Sequence, residues 1–335
     1  FHYVASLSHL MGYSSLLSLF FMLIGDGLLV APVINAVLST ISMILIYDIA
    51  NRLAGRKAAV AAAILWIFYP SQTIYNSMVL SEPLYTTLIL SFWALLIRVY
   101  DKLQHYTYIK IASYALLAAI MLGLVHASRP LSYILYLSLF IWLAVTMDWK
   151  DRQAVKKKAV FMVVVGIGLF AMTQAITTYN TVRLGEPAAS SMGYTLYVGF
   201  NEESKGKWNE EDSKHFYRYV DNYPEWSAVD VQKQMMEDAK ERIFSGDIDY
   251  FRLFYDKMHL LWEDDAMAYR YSDLPKEPDQ YTYLSNSYYF FTMLLSVIGV
   301  VIMSFRDRRS FIVMLCLFML GLTAAHMLAE VAYRY

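Results

Sequence analysis

Residues 31–58, APVINAVLSTISMILIYDIANRLAGRKA, hold the pattern that decides the fold. Residues 31–50 carry a single charge, Asp48. As a helix rising about 1.5 Å per residue, they reach across a hydrocarbon core of about 30 Å. Arg52, Arg56 and Lys57 follow at once. Working outward, further apolar runs lie at 59–77, 83–100, 109–127, 132–149, 159–178, 286–304 and 311–329. The connections near 51–58, 98–110, 146–158 and 304–310 carry 14 Lys and Arg residues; those near 70–82 and 126–132 carry one, Arg129. Basic residues concentrated on alternate sides are the mark of a polytopic membrane protein with its basic loops in the cytoplasm. Backbone polar groups must be satisfied internally in lipid, so the eight expected spans are helices.

Composition points the same way. Of 335 residues, 58% are hydrophobic and 17% charged, with a mean hydropathy of +0.37; soluble domains carry about 25% charge. The one long hydrophilic stretch, 180–285, falls on the basic-poor, extracytoplasmic side and holds 21 acidic against 12 basic residues. That excess repels nucleic acid, and no basic stripe offsets it, so no nucleic-acid partner is expected. The single cysteine, Cys316, lies in an apolar run and provides neither a disulfide framework nor a cysteine metal site. The opening FHYVASLSHL lacks a basic n-region and an initiator Met, so the expectation is an internal segment of a longer chain.

The expected fold is an all-α polytopic membrane protein. Residues 1–30, interrupted by Gly12, Ser14, Ser15, Gly25 and Asp26, read as an outer interfacial or re-entrant segment, with a short spanning helix as the alternative. A transmembrane bundle of six helices follows over 31–179, then an extracytoplasmic cap over 180–285. Further transmembrane helices fill 286–335, truncated at the C-terminus. Within the cap, Ala228, Val231, Met235, Ala239 and Ile243 recur at helical spacing over 226–244. Phe251, Phe254, Tyr255, Met258 and Trp262 repeat the pattern over 248–262, which predicts a helix lying on the membrane surface. The plasma membrane is the expected location, with membrane lipids as partners.

The chain has no Walker loop, no GxSxG, no HExxH and no CxxC. What remains are polar residues at the outer ends of apolar helices. Glu82, in Ser81-Glu82-Pro83, reads either as a helix N-terminal carboxylate favoured by the macrodipole or as a cavity-lining carboxylate that orders catalytic groups. Arg129, three residues after His126, reads either as a residue snorkelling to headgroups or as a guanidinium held for a phosphate. His326 and Glu330, four apart, would share a helix face ahead of Arg334 and Tyr335. Asp48 is the expected i, i+4 partner of Arg52.

The stretch from Gly25 to Arg98 resembles the membrane core of glycosyltransferase family 39-like proteins. These have the GT-C fold and are related to protein mannosyltransferases and the lipid A aminoarabinose transferase. The residues carrying the resemblance are Gly25-Asp26, Asn35, Arg52, Gly55, Pro70-Ser71, Ser81-Glu82 and Ser128-Arg129-Pro130. YTLYVGFNEESKGKWNEEDS (194–213) is similar to a segment of Gram-positive members, with Gly199, Asn201, Gly206 and Trp208 in register, and Glu330…Arg334-Tyr335 looks like a late-loop signature.

The resemblance implies a GT-C-like bundle that takes a sugar from a polyprenyl-phosphate carrier. The sugar passes to a cell-envelope glycan, lipid or protein acceptor outside the membrane, by an inverting, metal-assisted or carboxylate-base mechanism. Arg129, Arg334, Tyr335, Glu82, His126 and Glu330 are then the candidates for lipid-phosphate and substrate binding. The catalytic residue is unknown, its carboxylate base being expected upstream of Phe1. No cofactor is evident; a divalent metal remains open, although no metal ligand set is legible. The alternatives are a transporter or flippase and a non-catalytic membrane binding module.

Overall fold

The computed structural model describes residues 2–100, 102–275, 279–305 and 309–331. The described residues form sixteen α-helices and no strand. In order these are α1 (His2–Ser6), α2 (Leu10–Ile24), α3 (Val30–Ala54), α4 (Arg56–Ile67), α5 (Pro70–Asn76), α6 (Glu82–Tyr100), α7 (Tyr108–Ser128) and α8 (Ser132–Val145). They continue as α9 (Arg152–Leu184), α10 (Met192–Gly199), α11 (Glu210–Asn222), α12 (Ala228–Phe244), α13 (Tyr250–Trp262), α14 (Met267–Tyr271), α15 (Gln280–Ser304) and α16 (Arg309–Leu328). The protein is an all-α polytopic membrane protein.

Among the described residues, six helices are long and apolar enough to cross a membrane: α3, α6, α7, α9, α15 and α16. Two of the eight expected spans depart from the expectation. The run over 59–77 is broken between α4 and α5, which are bent by 57°. Pro70 has no N–H to continue the ladder and holds Tyr69 extended at φ −73°, ψ 109°. Counting that bent pair as one span gives seven. The run over 132–149 folds as α8, only 14 residues long, because Asp148 and Asp151 accept backbone N–H groups of the turn that opens α9. At about 1.5 Å per residue, α8 falls short of the hydrocarbon thickness. The outer surfaces of the long helices stay apolar: Leu294, Val297 and Val301 of α15 are 58%, 61% and 55% exposed. Such a surface belongs in lipid.

The chain divides into two compact units. One comprises residues 12–173 and 265–318. In it, α3 packs against α4 and α6, and α6 against α7. The α3–α6 contact is locked by Thr87, whose hydroxyl lies 2.8 Å from that of Ser42 and donates to the Leu38 carbonyl at 3.0 Å. Asp48 takes its expected partner Arg52 and also Arg98, at 3.0 and 3.1 Å. The bent pair is secured by Ser71, which donates to the Asp265 carbonyl, and by a stacked Tyr69–Tyr288 ring pair.

The other unit comprises residues 1–11, 174–264 and 319–335. Its core is Tyr194, Val198, Phe216, Val231 and Met235, contributed by α10, α11 and α12. Each of these last two helices begins at a sequence-encoded cap. Asn209 accepts from the Asp212 N–H, and Ser227 forms a reciprocal capping box with Asp230. The helix expected over 226–244 is found as α12, with Ala228, Val231, Met235 and Ala239 buried.

The helix expected over 248–262 is found as α13, and the face it buries within its own unit is a second stripe beside the expected one. Leu253, Lys257, Leu260 and Leu261 are buried, whereas Phe251, Tyr255 and Met258 are exposed. Both stripes fit a helical period. Choosing between them requires knowing that a lysine can be the buried member.

Candidate functional site

Glu82 opens α6 and Arg129 ends α7, so each sits where a helix meets the polar boundary of the membrane core. Arg129 Nη2 donates to Glu82 Oε1 at 2.7 Å, with the two side chains only 11% and 10% exposed. The Arg129 guanidinium also lies 5.4 Å from the centre of the Tyr85 ring. Glu82 Oε2 is buried and, among the described residues, has no hydrogen-bond partner. The result is a neutral pair in a low-dielectric setting with one carboxylate oxygen unspent.

The scaffold fixes both ends of the pair. Asn35, fully buried in α3, accepts from the Tyr13 hydroxyl at 2.8 Å and donates through Nδ2 to the Met78 carbonyl at 2.7 Å. That bond holds the short connection that delivers Glu82. On the Arg129 side, α2 crosses the last turn of α7 at Gly12, where a Cβ would meet the Ala127 carbonyl oxygen at 2.0 Å. Only glycine permits that approach. Arg129 itself is extended and caps α7 by donating its N–H to the Val125 carbonyl at 2.8 Å.

Of the expected site residues, the structure therefore brings Glu82 and Arg129 together. His126 lies one turn before Arg129, with Nδ1 3.0 Å from the Ser132 hydroxyl and its ring edge-on to Tyr133. Glu330 does not share a helix face with His326. Helix α16 stops at Leu328, and the Glu330 N–H instead donates to the Thr195 carbonyl at 2.9 Å. Arg334 and Tyr335 lie outside the described residues. For a divalent metal, no group of three or more His, Cys, Asp or Glu side chains among the described residues is disposed to hold one.

A second polar centre, in the unit of residues 1–11, 174–264 and 319–335 (here the cap unit), escaped the sequence reading. Lys257 of α13 is fully buried, and its Nζ donates to the carbonyls of Gly199, Met327 and Ala329 at 2.9, 2.8 and 2.7 Å. Gly206, at φ +72°, supplies the carbonyl that receives the Val331 N–H at 2.9 Å. Burial pushes the Lys257 ammonium down to about 7, against the pull of the Glu330 carboxylate. The only signal available in the sequence was a lysine at an apolar helical position. Nearby, Asp212, 2% exposed, receives Arg242 Nη2 at 3.0 Å together with the side-chain amides of Asn201 and Asn209. The Arg242 guanidinium stacks 3.5 Å over the Tyr197 ring.

The structure thus places a buried carboxylate–guanidinium pair at the polar ends of a set of apolar helices. The family model described as dolichyl-phosphate-mannose-protein mannosyltransferase matches residues 8–176, a stretch that contains both Glu82 and Arg129, and the chain belongs to this family. It is accordingly a multi-pass membrane glycosyltransferase of the class that uses polyprenyl-phosphate sugar donors. Comparison with curated proteins and with solved structures gives no match.

Proposed function

We propose that the Glu82–Arg129 pair is the donor-phosphate site of this glycosyltransferase and that transfer takes place on the extracytoplasmic side. The observation that carries the reading is the buried 2.7 Å pair itself. A guanidinium is costly to hold at a membrane boundary without a counter-ion, and Glu82 supplies one. Arginine presents a planar fork of donors suited to phosphate, and it is the fork that Glu82 holds in place.

In an inverting transfer, an acceptor hydroxyl oxygen gives its proton to a general base and attacks the anomeric carbon, its bond forming as the bond from that carbon to the phosphate oxygen breaks. Negative charge grows on the departing polyprenyl phosphate. A preorganised guanidinium at that place stabilises the charge as it develops. Glu82 orients Arg129 through Oε1. The acceptor is a hydroxyl on an envelope glycan, lipid or protein. The acidic excess over 180–285 disfavours polyanionic acceptors.

The extracytoplasmic side is supported by the basic residues of the alternate loops. The test is sugar transfer in native membranes, using labelled polyprenyl-phosphate mannose and polyprenyl-phosphate glucose as donors. R129A should lose about a hundredfold or more in turnover per folded molecule, with R129K recovering part of it. Full activity in R129A would remove the assignment.

A further inference from the structure

Helix α13 has apolar residues on two opposite faces. The inward face, Leu253, Lys257, Leu260 and Leu261, is buried in its own unit. On the other face Phe251, Tyr255 and Met258 recur at i, i+4 and i+7 and are 85%, 64% and 43% exposed. Arg252, Asp256 and His259 lie along one flank between these faces, with His259 paired to Glu263. Phe244, at the end of α12, is 83% exposed, and the short turn after it is tied back by the Tyr250 hydroxyl, which donates to the Ile243 carbonyl. A helix apolar on both sides belongs with both sides out of water.

The height of α13 relative to the membrane is fixed by its buried lysine. Lys257 donates to the carbonyls of Met327 and Ala329. These residues bracket the end of α16, whose residues 311–328 form one of the membrane-crossing helices. Leu260 and Leu261 pack with Val331 and Met327 at the same place. Thus α13 is pinned by its inner face to the point where a span leaves the hydrocarbon.

We propose that α13 is an interfacial helix whose outer face, Phe251, Tyr255 and Met258 with neighbouring Phe244, inserts into the headgroup–acyl boundary of the bilayer and anchors the cap unit to the lipid surface. Lipid is the occupant because the contact to α16 sets α13 at that depth. Aromatic side chains beside a charged flank are also the chemistry of that zone. The proposal depends on the chain being embedded in a membrane and not on the role given to Arg129.

Spin labels on single cysteines test it, in the full-length chain carrying C316S or, if that variant misfolds, C316A. Labels at F251C and Y255C are compared with K233C on α12, all reconstituted in nanodiscs of phosphatidylethanolamine and phosphatidylglycerol. F244C serves as a further position should either label at 251 or 255 lower the melting midpoint. The expected result is a severalfold higher ratio of oxygen to nickel-chelate accessibility at 251 and 255 than at 233. Nickel-chelate access at 251 equal to that at 233 would place the face in water and overturn the proposal. Exclusion of both reagents would mark a protein partner or a second copy of the chain, and overturn it equally.

Discussion

Glu82 and Arg129 are 47 positions apart and meet at 2.7 Å with both side chains almost fully buried. Removing one partner strands the other charge, which in buried pairs costs about 3–5 kcal/mol. R129A and E82A should each lower the melting midpoint of the purified protein, while the double variant should lose less than the sum of the two. Additive losses in that cycle would mean the pair contributes no coupling.

The Lys257 ammonium predicts a pH dependence of stability. Burial holds it down to about 7 in the native state, whereas an unfolded lysine keeps its proton to about 10.4. Between those values the unfolded state binds the extra proton, so stability rises with pH, by at most about 1.4 kcal/mol per unit. Below about pH 7 both states are protonated, and the penalty for burying the charge is at its full value. Melting midpoints from pH 7 to 9.5 should rise in wild type relative to K257M. Parallel curves would sink the assignment.

The close approach of α2 to α7 is tested by two glycines with opposite surroundings. G12A drives a methyl group into the Ala127 carbonyl, which is helix backbone and cannot yield, so the variant should melt lower and lose transfer activity. G27A would place its Cβ 3.8 Å from the Val30 Cγ2, an ordinary contact, and should behave as wild type. Equal midpoints for the two would refute the close contact.

Arg242 should not be replaceable by lysine. Its fork serves both Asp212 oxygens and the Tyr197 carbonyl while lying over the Tyr197 ring. A point charge on a flexible stem reproduces none of that geometry. R242K and R242M should both destabilise the cap unit, R242M more, since it leaves Asp212 charged and buried without its cation. Hydrogen exchange at the α10 and α12 amides would report the loosening; protection unchanged from wild type in R242M would contradict it.

The membrane class was legible because length, apolarity and the alternation of basic loops survive without any three-dimensional information. Glu82 and Arg129 were each conspicuous in the sequence as ionisable residues at span ends, but their pairing is a property of how α6 and α7 are placed. Pro70 stood in plain view inside an apolar run; what the run hid was that the helix turns there by 57° rather than continuing. The inner face of α13 was not legible for a physical reason. The partners of Lys257 are backbone carbonyls, which any residue type offers and which therefore leave no trace in sequence. The exposed aromatic stripe on the same helix had the stronger hydrophobic pattern and was the one the sequence displayed.

The same lysine also imposes an order of assembly. Its carbonyl partners stand 58, 70 and 72 positions away, and two of them, Met327 and Ala329, emerge from the ribosome long after α13. Until α16 has been threaded into the bilayer, the amine has a single acceptor of its three, and the crevice that later encloses it stays open to water. Closure of the cap is thereby coupled to completion of membrane insertion. A nascent chain stalled before residue 327 would expose an amine open to acylating reagents, which the finished protein conceals.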